Sequence, residues 1–376
     1  MLKAMGVGRV NFQEQCSFSM GTPLISIVIR TYFREDPLAK TLESIANSNY
    51  PKDMIEVIVV NDPKDEGAEK VVDLFREKHP EINCLLINPS INSATFAWNL
   101  GIRHSRGEIV GVSPDDIIFH PDSIRRAIDL LRSNCNVAAV TFTCIFEKQS
   151  IMSEVHHMRF IGNITNSVST VFLLTFYRKR TLEAVGLYRE DLGPPATIHE
   201  DWELGSRIRK QGYTIMLDGT MVQTHLEHQE EHQEKKSSVV KLEKPLRRTL
   251  MAKLNKWTTI PWLYANSYLR RNYKTFFEVM KSSPLSQQAE YFSYFLMPIV
   301  GLGLLIVNPL FTLIYALFLV AIIDAYSFAE GYYRVFGISK RSTYPIVLIF
   351  ARIVRSYLSV LGLLTATIAK GLGKLR

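Results

Sequence analysis

The chain is short of cysteine: its 376 residues include only Cys16, Cys84, Cys135 and Cys144, with no CxxC pair and no repeated spacing. That pattern indicates neither a zinc site nor a disulfide framework, and the expected setting is a reducing cytosol. No P-loop occurs and no GxGxxG follows the first apolar run, so ATPase and dehydrogenase readings fall away. The opening stretch MLKAMGVGRVNFQEQCSFSMGTP lacks the apolar centre of a secretory leader. Charge is missing altogether between Tyr291 and Ile323, a run longer than the about 20 apolar residues that cross a bilayer.

Elsewhere charge is sorted. The formal net charge of +8 averages −7 over residues 1–234 and +15 over residues 235–376. An acidic domain followed by a basic, membrane-facing part would segregate charge in this way. Within the uncharged run, Asn308-Pro309 interrupts a helix. One helix from Tyr291 to Ile323 would be about 50 Å long against a hydrocarbon core of about 30 Å. A transmembrane hairpin, 286–307 and 310–329, fits better and leaves basic residues inside on both flanks. A third apolar segment, 344–369, is interrupted by Arg352 and Arg355 and reads as an interfacial or re-entrant helix.

Residues 245–283 interleave aromatic side chains, among them Trp257 and Trp262, with Arg247, Arg248, Arg270, Arg271 and Lys274. Such a pattern can stack bases and neutralise phosphates, but it also suits an interfacial helix beside anionic lipid. The adjacent apolar run favours lipid, so no nucleic-acid partner is expected. The basic side chains either hold the phosphate of a lipid substrate or anchor the chain to bulk anionic lipid.

The N-terminal part reads as α/β. LISIVI (24–29) and the run at 55–60 are short and rich in β-branched residues, with a helical stretch from Pro37 to Asn47 between them. This is a βαβ signature with parallel strands. Helices follow at 66–79 and 93–105, and strands at Cys84–Ile87, Ile109–Val112 and Val137–Phe142. Polar clusters stand at the carboxyl ends of these strands, where open α/β sheets bind ligands. They are RTYFRED after the first strand, Asn61-Asp62 after the second and SPDD at 113–116, joined by HEDWELGSRIRKQGY from His199. Converging carboxylates suit a divalent cation and a pyrophosphate. Competing readings are that Asp62 and Asp65 form a turn, that Asp115 and Asp116 cap a helix near Pro121, and that Glu200 and Asp201 complement a helix dipole.

ISIVIRTYFRED, EVIVVNDPKDEG, NSATFAWNLGIRHSRGEIVGVSPDDIIFHPDSI, VGLYREDLG and HEDWELGSRIRKQGY together resemble, in order and rough spacing, the family 2 glycosyltransferases of GT-A fold. The resemblance spans about residues 24–225, and with the basic segment and apolar hairpin it points to membrane-anchored members such as polyprenyl-phosphate glycosyltransferases and dolichol-phosphate mannose synthases. It implies a Rossmann-like mixed sheet flanked by helices, followed by amphipathic interfacial helices and transmembrane helices. The expected organisation is an N-terminal extension (1–23), a GT-A domain (24–230), a basic linker with interfacial helices (231–285) and a membrane domain (286–376).

The resemblance also implies roles. Thr31 and Tyr32 fall in the first nucleotide loop, Asp62 matches the acid that reads base or ribose, and Asn99 and Gly101 match the asparagine and glycine of the helix before the metal motif. Asp116 is the expected ligand of Mg2+ or Mn2+, with Asp115 a ribose or second metal contact. Pro114 stands where the first acid of the family's DxD element is normally found, which implies a looser metal site. Asp201 matches the catalytic base with Glu200 beside it, Arg207 matches the arginine that follows, and His225 sits where many members have a histidine near diphosphate or metal. A solvated histidine is the alternative for His225.

The implied reaction is inverting transfer of a sugar from a nucleoside diphosphate sugar to a membrane lipid, either polyprenyl phosphate or glycolipid. The implied place is a prokaryotic plasma membrane or its equivalent, with the catalytic domain cytosolic and the membrane helices a surface for homo-oligomers. A processive polysaccharide synthase is the rival enzyme, disfavoured because no QxxRW occurs. A non-catalytic nucleotide-binding membrane protein is the rival of another class, suggested by Pro114.

Overall fold

The computed structural model describes residues 21–62, 65–91, 93–147, 161–165, 168, 171, 173–192, 200–226 and, singly, 300, 303 and 306. The chain order is β1 (Ile25–Arg30), α1 (Glu35–Ala46), β2 (Ile55–Val60), α2 (Gly67–Lys78), β3 (Asn83–Ile87), α3 (Ala94–His104), β4 (Ile109–Pro114), β5 (Ile117–Ile118) and α4 (Ser123–Ser133). It continues with β6 (Val137–Phe146), β7 (Ile164–Thr165), β8 (Thr175–Arg178), α5 (Lys179–Ala184), α6 (Glu200–Lys210) and β9 (Thr214–His225). The expected linker 231–285, hairpin 286–307 and 310–329, and segment 344–369 lie outside the described residues apart from three isolated positions. So do Arg247, Arg248, Arg270, Arg271 and Lys274. Among the described residues no helix is long and apolar enough to cross a membrane.

One sheet runs through the domain in the order β3-β2-β1-β4-β8-β6-β9-β5, with β7 on β9. Strands β3, β2, β1 and β4 are parallel, as the βαβ pattern predicts, whereas β8 runs antiparallel to both β4 and β6. The sheet is therefore mixed. All six residues of β2, IEVIVV, are buried, because helices cover both faces of a parallel strand. Alternation divides the apolar residues between two cores. Ile25, Ile27 and Ile29 face Leu38, Leu42 and Ile45 of α1 and Ile124 and Leu131 of α4, while Val28, Ile58 and Val60 face Ala97 and Ile102 of α3 and Leu204 and Ile208 of α6.

Gly101 shows how tightly α3 lies on the sheet: a Cβ there would fall 2.3 Å from Val28 Cγ1 and 3.1 Å from Val60 Cγ2. Helix α4 begins at Ser123 with Asp122 at its N-cap position, so Asp115 and Asp116 do not cap it. The cysteines depart from expectation. Cys84 and Cys144 are free and buried, but Cys135, at the turn between α4 and β6, is disulfide-bonded. Pairing depends on chain geometry that spacing in the sequence does not encode.

Candidate active site

Register fixes where the site can form. Arg30, the last residue of β1, is level with Val60 of β2 and Pro114 of β4. The loops after these three parallel strands thus open on one edge, the carboxyl edge at which α/β sheets bind ligands. The ladders reach one residue further, since Thr31 N–H donates to Val60 O at 3.0 Å and Asn61 N–H to Ile87 O at 2.9 Å.

Asp115 and Asp116 follow β4 and are 1% and 2% exposed. Thr31 Oγ1 donates to Asp115 Oδ2 at 2.6 Å. Arg34 Nη1 donates to both acids, to Asp115 Oδ1 at 3.0 Å and Asp116 Oδ2 at 2.8 Å. Thr41 of α1 donates its hydroxyl to the Asp115 carbonyl at 2.8 Å, which fixes the turn from beneath. Burial pushes the Asp115 carboxyl above its ordinary value, against the opposing pull of Arg34 and Thr31. Short strand β5 then pairs antiparallel with the end of β9, Ile117 opposite His225, and Leu226 N–H donates to Asp116 O at 2.8 Å. This pairing carries His225 Nε2 to 3.7 Å from Asp116 Oδ1.

The β2 loop is sewn to the β1 loop through Asp65, which accepts from Phe33 N–H at 2.7 Å and Gly67 N–H at 3.0 Å. Phe33 has φ of +51°, a left-handed conformation that disfavours a residue with Cβ by about 1 kcal/mol, so this carboxylate supports a strained turn. The turn reading holds for Asp65. Asp62 is buried at the end of β2, and its carbonyl accepts the Asp65 N–H at 3.1 Å. Tyr32 is 43% exposed and stands edge-on to Phe33.

A second acidic group comes from the first turn of α6, Glu200 and Asp201. Burial pushes the Glu200 carboxyl up, against its own backbone hydrogen bond and the charge of Arg30. Asp201 Oδ1 accepts the Trp202 N–H at 2.9 Å. Arg30 links the two groups: its guanidinium lies 6.0 Å from the Trp98 ring centre. Burial lowers its pKa, opposed by the charges of Asp115, Glu200 and Asp116.

Asn99 and Arg207 are committed within the protein. Asn99 Nδ2 donates to Tyr188 O and Glu190 Oε1, each at 2.8 Å, and its Oδ1 accepts Tyr188 N–H at 2.9 Å. Arg207 Nε donates to Glu203 at 2.8 Å and its terminal nitrogens donate to the carbonyls of Val185 and Leu187. Both therefore brace the turn in which Leu187 has φ of +57°, and Tyr188 of that turn packs 5.1 Å from Trp98.

Thr31, Asp115, Asp116 and His225 are thus brought together, and Arg30 lies within the charge of Asp115, Asp116 and Glu200. The residues that sequence reasoning passed over are Arg30 and Arg34. The available signal was their place in RTYFRED, one before and three after Thr31. The donor set fits a hard divalent ion, since two buried carboxylates already gather a positive charge, with the His225 imidazole beside them. Among the described residues, however, no three His, Cys, Asp or Glu side chains form a ready metal-holding group.

Residues 26–186 match the family model described as Glycosyl transferase family 2. The glycosyltransferase AglE of Haloferax volcanii is 23% identical over 211 residues, covering 54% of this chain and 67% of the relative. The dolichyl N-acetyl-alpha-D-glucosaminyl phosphate 3-beta-D-2,3-diacetamido-2,3-dideoxy-beta-D-glucuronosyltransferase of Methanococcus voltae is 26% identical over 145 residues, covering 39% and 40%. Across six curated relatives the match spans from 15% to 67% of the relative's length. The fold is that of the solved mannosyltransferase PcManGT from Pyrobaculum calidifontis in complex with GDP-Man and Mn2+, with a TM-score of 0.52 at 17% identity over 91% of this chain and 88% of that one. Residues 26–186 are thus similar to the glycosyltransferase family 2 model, and they lie on a mixed α/β sheet of GT-A-like architecture.

Proposed function

We propose that the protein is an inverting glycosyltransferase that moves a sugar from a nucleoside diphosphate sugar to a lipid acceptor in a membrane. The observation that carries this reading is the grouping of Thr31, Asp115, Asp116 and His225 at the carboxyl edge of the sheet, beside an Arg30 that also feels the charge of Glu200, the neighbour of Asp201 in the first turn of α6. It is supported by a structural relative that holds GDP-Man and Mn2+ and a sequence relative named for a dolichyl phosphate-linked substrate.

In this reading Thr31, Tyr32 and Asp62 receive the nucleoside. Asp116, with Asp115 and His225, holds Mg2+ or Mn2+, which when bound supplies charge neutralisation for the departing diphosphate. The acceptor oxygen forms its bond to the anomeric carbon on the face opposite the diphosphate, and the bond from that carbon to the diphosphate oxygen breaks. For a hydroxyl acceptor the proton passes to Asp201. A phosphate acceptor is already ionised at neutral pH, and Asp201 then orients it. Glu200 and Arg30 keep the charge of this side of the cleft balanced. The charge asymmetry of the sequence and its uncharged run support a bilayer-bound acceptor, with Arg247, Arg248, Arg270, Arg271 and Lys274 as candidate contacts to the lipid head, a cytosolic catalytic domain and membrane helices able to associate.

The test is to incubate membranes containing the protein with a panel of nucleotide sugars and to examine the extracted lipids by mass spectrometry. The expected result is a lipid species heavier by one sugar with one donor of the panel. Sugar recovered only in water-soluble product or long polymer contradicts the reading.

A further inference from the structure

Arg34 occupies the point at which the two cleft acids meet. Asp115 Oδ1 and Asp116 Oδ2 both converge on its single Nη1, at 3.0 and 2.8 Å. The other two carboxylate oxygens are directed elsewhere, Asp115 Oδ2 to the Thr31 hydroxyl and Asp116 Oδ1 toward His225. Arg34 thus takes the position from which a cation would bridge one oxygen of each acid. Like-charged neighbours a few ångströms apart repel, so a divalent ion and the guanidinium compete for that bridging position.

We propose that Arg34 is a resident counter-cation of the acid pair, which a divalent ion must displace before it can bind. The proposal rests on the reading of Asp115 and Asp116 as cation-holding acids. The guanidinium holds together two buried carboxylates that would otherwise face each other unneutralised, so the metal-free site keeps its shape. It is also built to leave. The Arg34 side chain is 34% exposed, it comes from the loop ahead of α1, and its head makes no other hydrogen bond or ion pair among the described residues. A half-buried arginine can swing out to water when the incoming ion takes over neutralisation of the two buried acids. Apparent metal affinity is then reduced by the fraction of molecules in which Arg34 is in place.

The test uses the full-length protein and Mn2+ alone, with the free ion counted by electron paramagnetic resonance. Arg34→Gln is expected to bind Mn2+ about tenfold more tightly than the unaltered protein, with Arg34→Lys in between, and Asp116→Asn added to Arg34→Gln should abolish the binding. Equal or weaker affinity in Arg34→Gln overturns displacement while leaving the acids as metal ligands. Absence of any binding that depends on Asp116, in either protein, overturns the cation-holding reading as well. Should Arg34→Gln fail to fold by circular dichroism, Arg34→Lys takes its place: tighter binding than the unaltered protein supports displacement, and equal or weaker binding overturns it.

Discussion

Two buried carboxylates stand at opposite ends of the parallel strands of one mixed sheet, and their environments push them in opposite directions. Glu56, near the amino end of β2, is 3% exposed, and Asp115, beyond the carboxyl end of β4, is 1% exposed. Burial raises both. At Glu56 it is outweighed by hydrogen bonds from Ser26 Oγ at 2.6 Å, Arg106 N–H at 2.9 Å and Arg106 Nε at 2.7 Å, so the carboxyl lies below its ordinary value. At Asp115 burial wins. The amino edge satisfies its acid and gains stability from it. The carboxyl edge holds acids that its own side chains do not fully compensate, as expected where the missing partner is a ligand.

That contrast can be broken by mutation. Asp116→Asn should lower sugar transfer about a hundredfold or more while shifting the thermal midpoint by only about 2 °C, read by initial rates and by scanning calorimetry. A comparable loss of stability would place Asp116 with Glu56. Arg207→Ala strands the buried Glu203 and frees the Leu187 turn, so urea unfolding should show a loss of about 3 kcal/mol, with nucleotide affinity of the folded fraction unchanged. A loss of affinity at normal stability would make Arg207 a direct donor contact. Glu56→Ala leaves the Ser26 hydroxyl without its acceptor and Arg106 N–H with only its longer bond to Ser26 Oγ at 3.2 Å, and should lose about 2 kcal/mol, with turnover per folded molecule intact.

The smallest effect concerns pH. Because folding lowers the Glu56 pKa from the ordinary 4.5, the unfolded chain binds that proton more tightly. The stabilisation is full above the unfolded value and is lost as pH falls through the folded one. Urea titrations from roughly pH 5 down to pH 3 should therefore show a shallower acid-side loss in Glu56→Gln than in the unaltered protein. An unchanged slope would mean that Glu56 is no better satisfied than Asp115.

Legibility in the sequence divides along the same lines. Strands β1 to β4 could be read because apolar, β-branched runs alternate with amphipathic helices, and their polar ends named Thr31, Asp62, Asp115 and Asp116. Strand β8 carries only four residues, and the approach of His225 depends on β9 pairing with a two-residue strand far away in the chain, for which no local pattern exists. Arg34 escaped notice because an acid cluster read one residue at a time suggests an ion and not a side chain already in its place. Asn99 and Arg207 were identified by motif, yet motif position did not distinguish contact with a ligand from support of the turn that lines it.

The most direct measurement of whether the carboxyl edge is a transferase site compares Asp201→Asn with the unaltered protein in two readouts, sugar transfer to extracted lipid and calorimetric binding of the donor nucleotide. Transfer should fall by about a thousandfold with nucleotide affinity within about twofold, since the change removes a proton acceptor or acceptor-orienting charge and leaves the nucleoside loops untouched. Near-normal turnover in Asp201→Asn would contradict the role given to this acid and, with it, the chemistry proposed for the cleft.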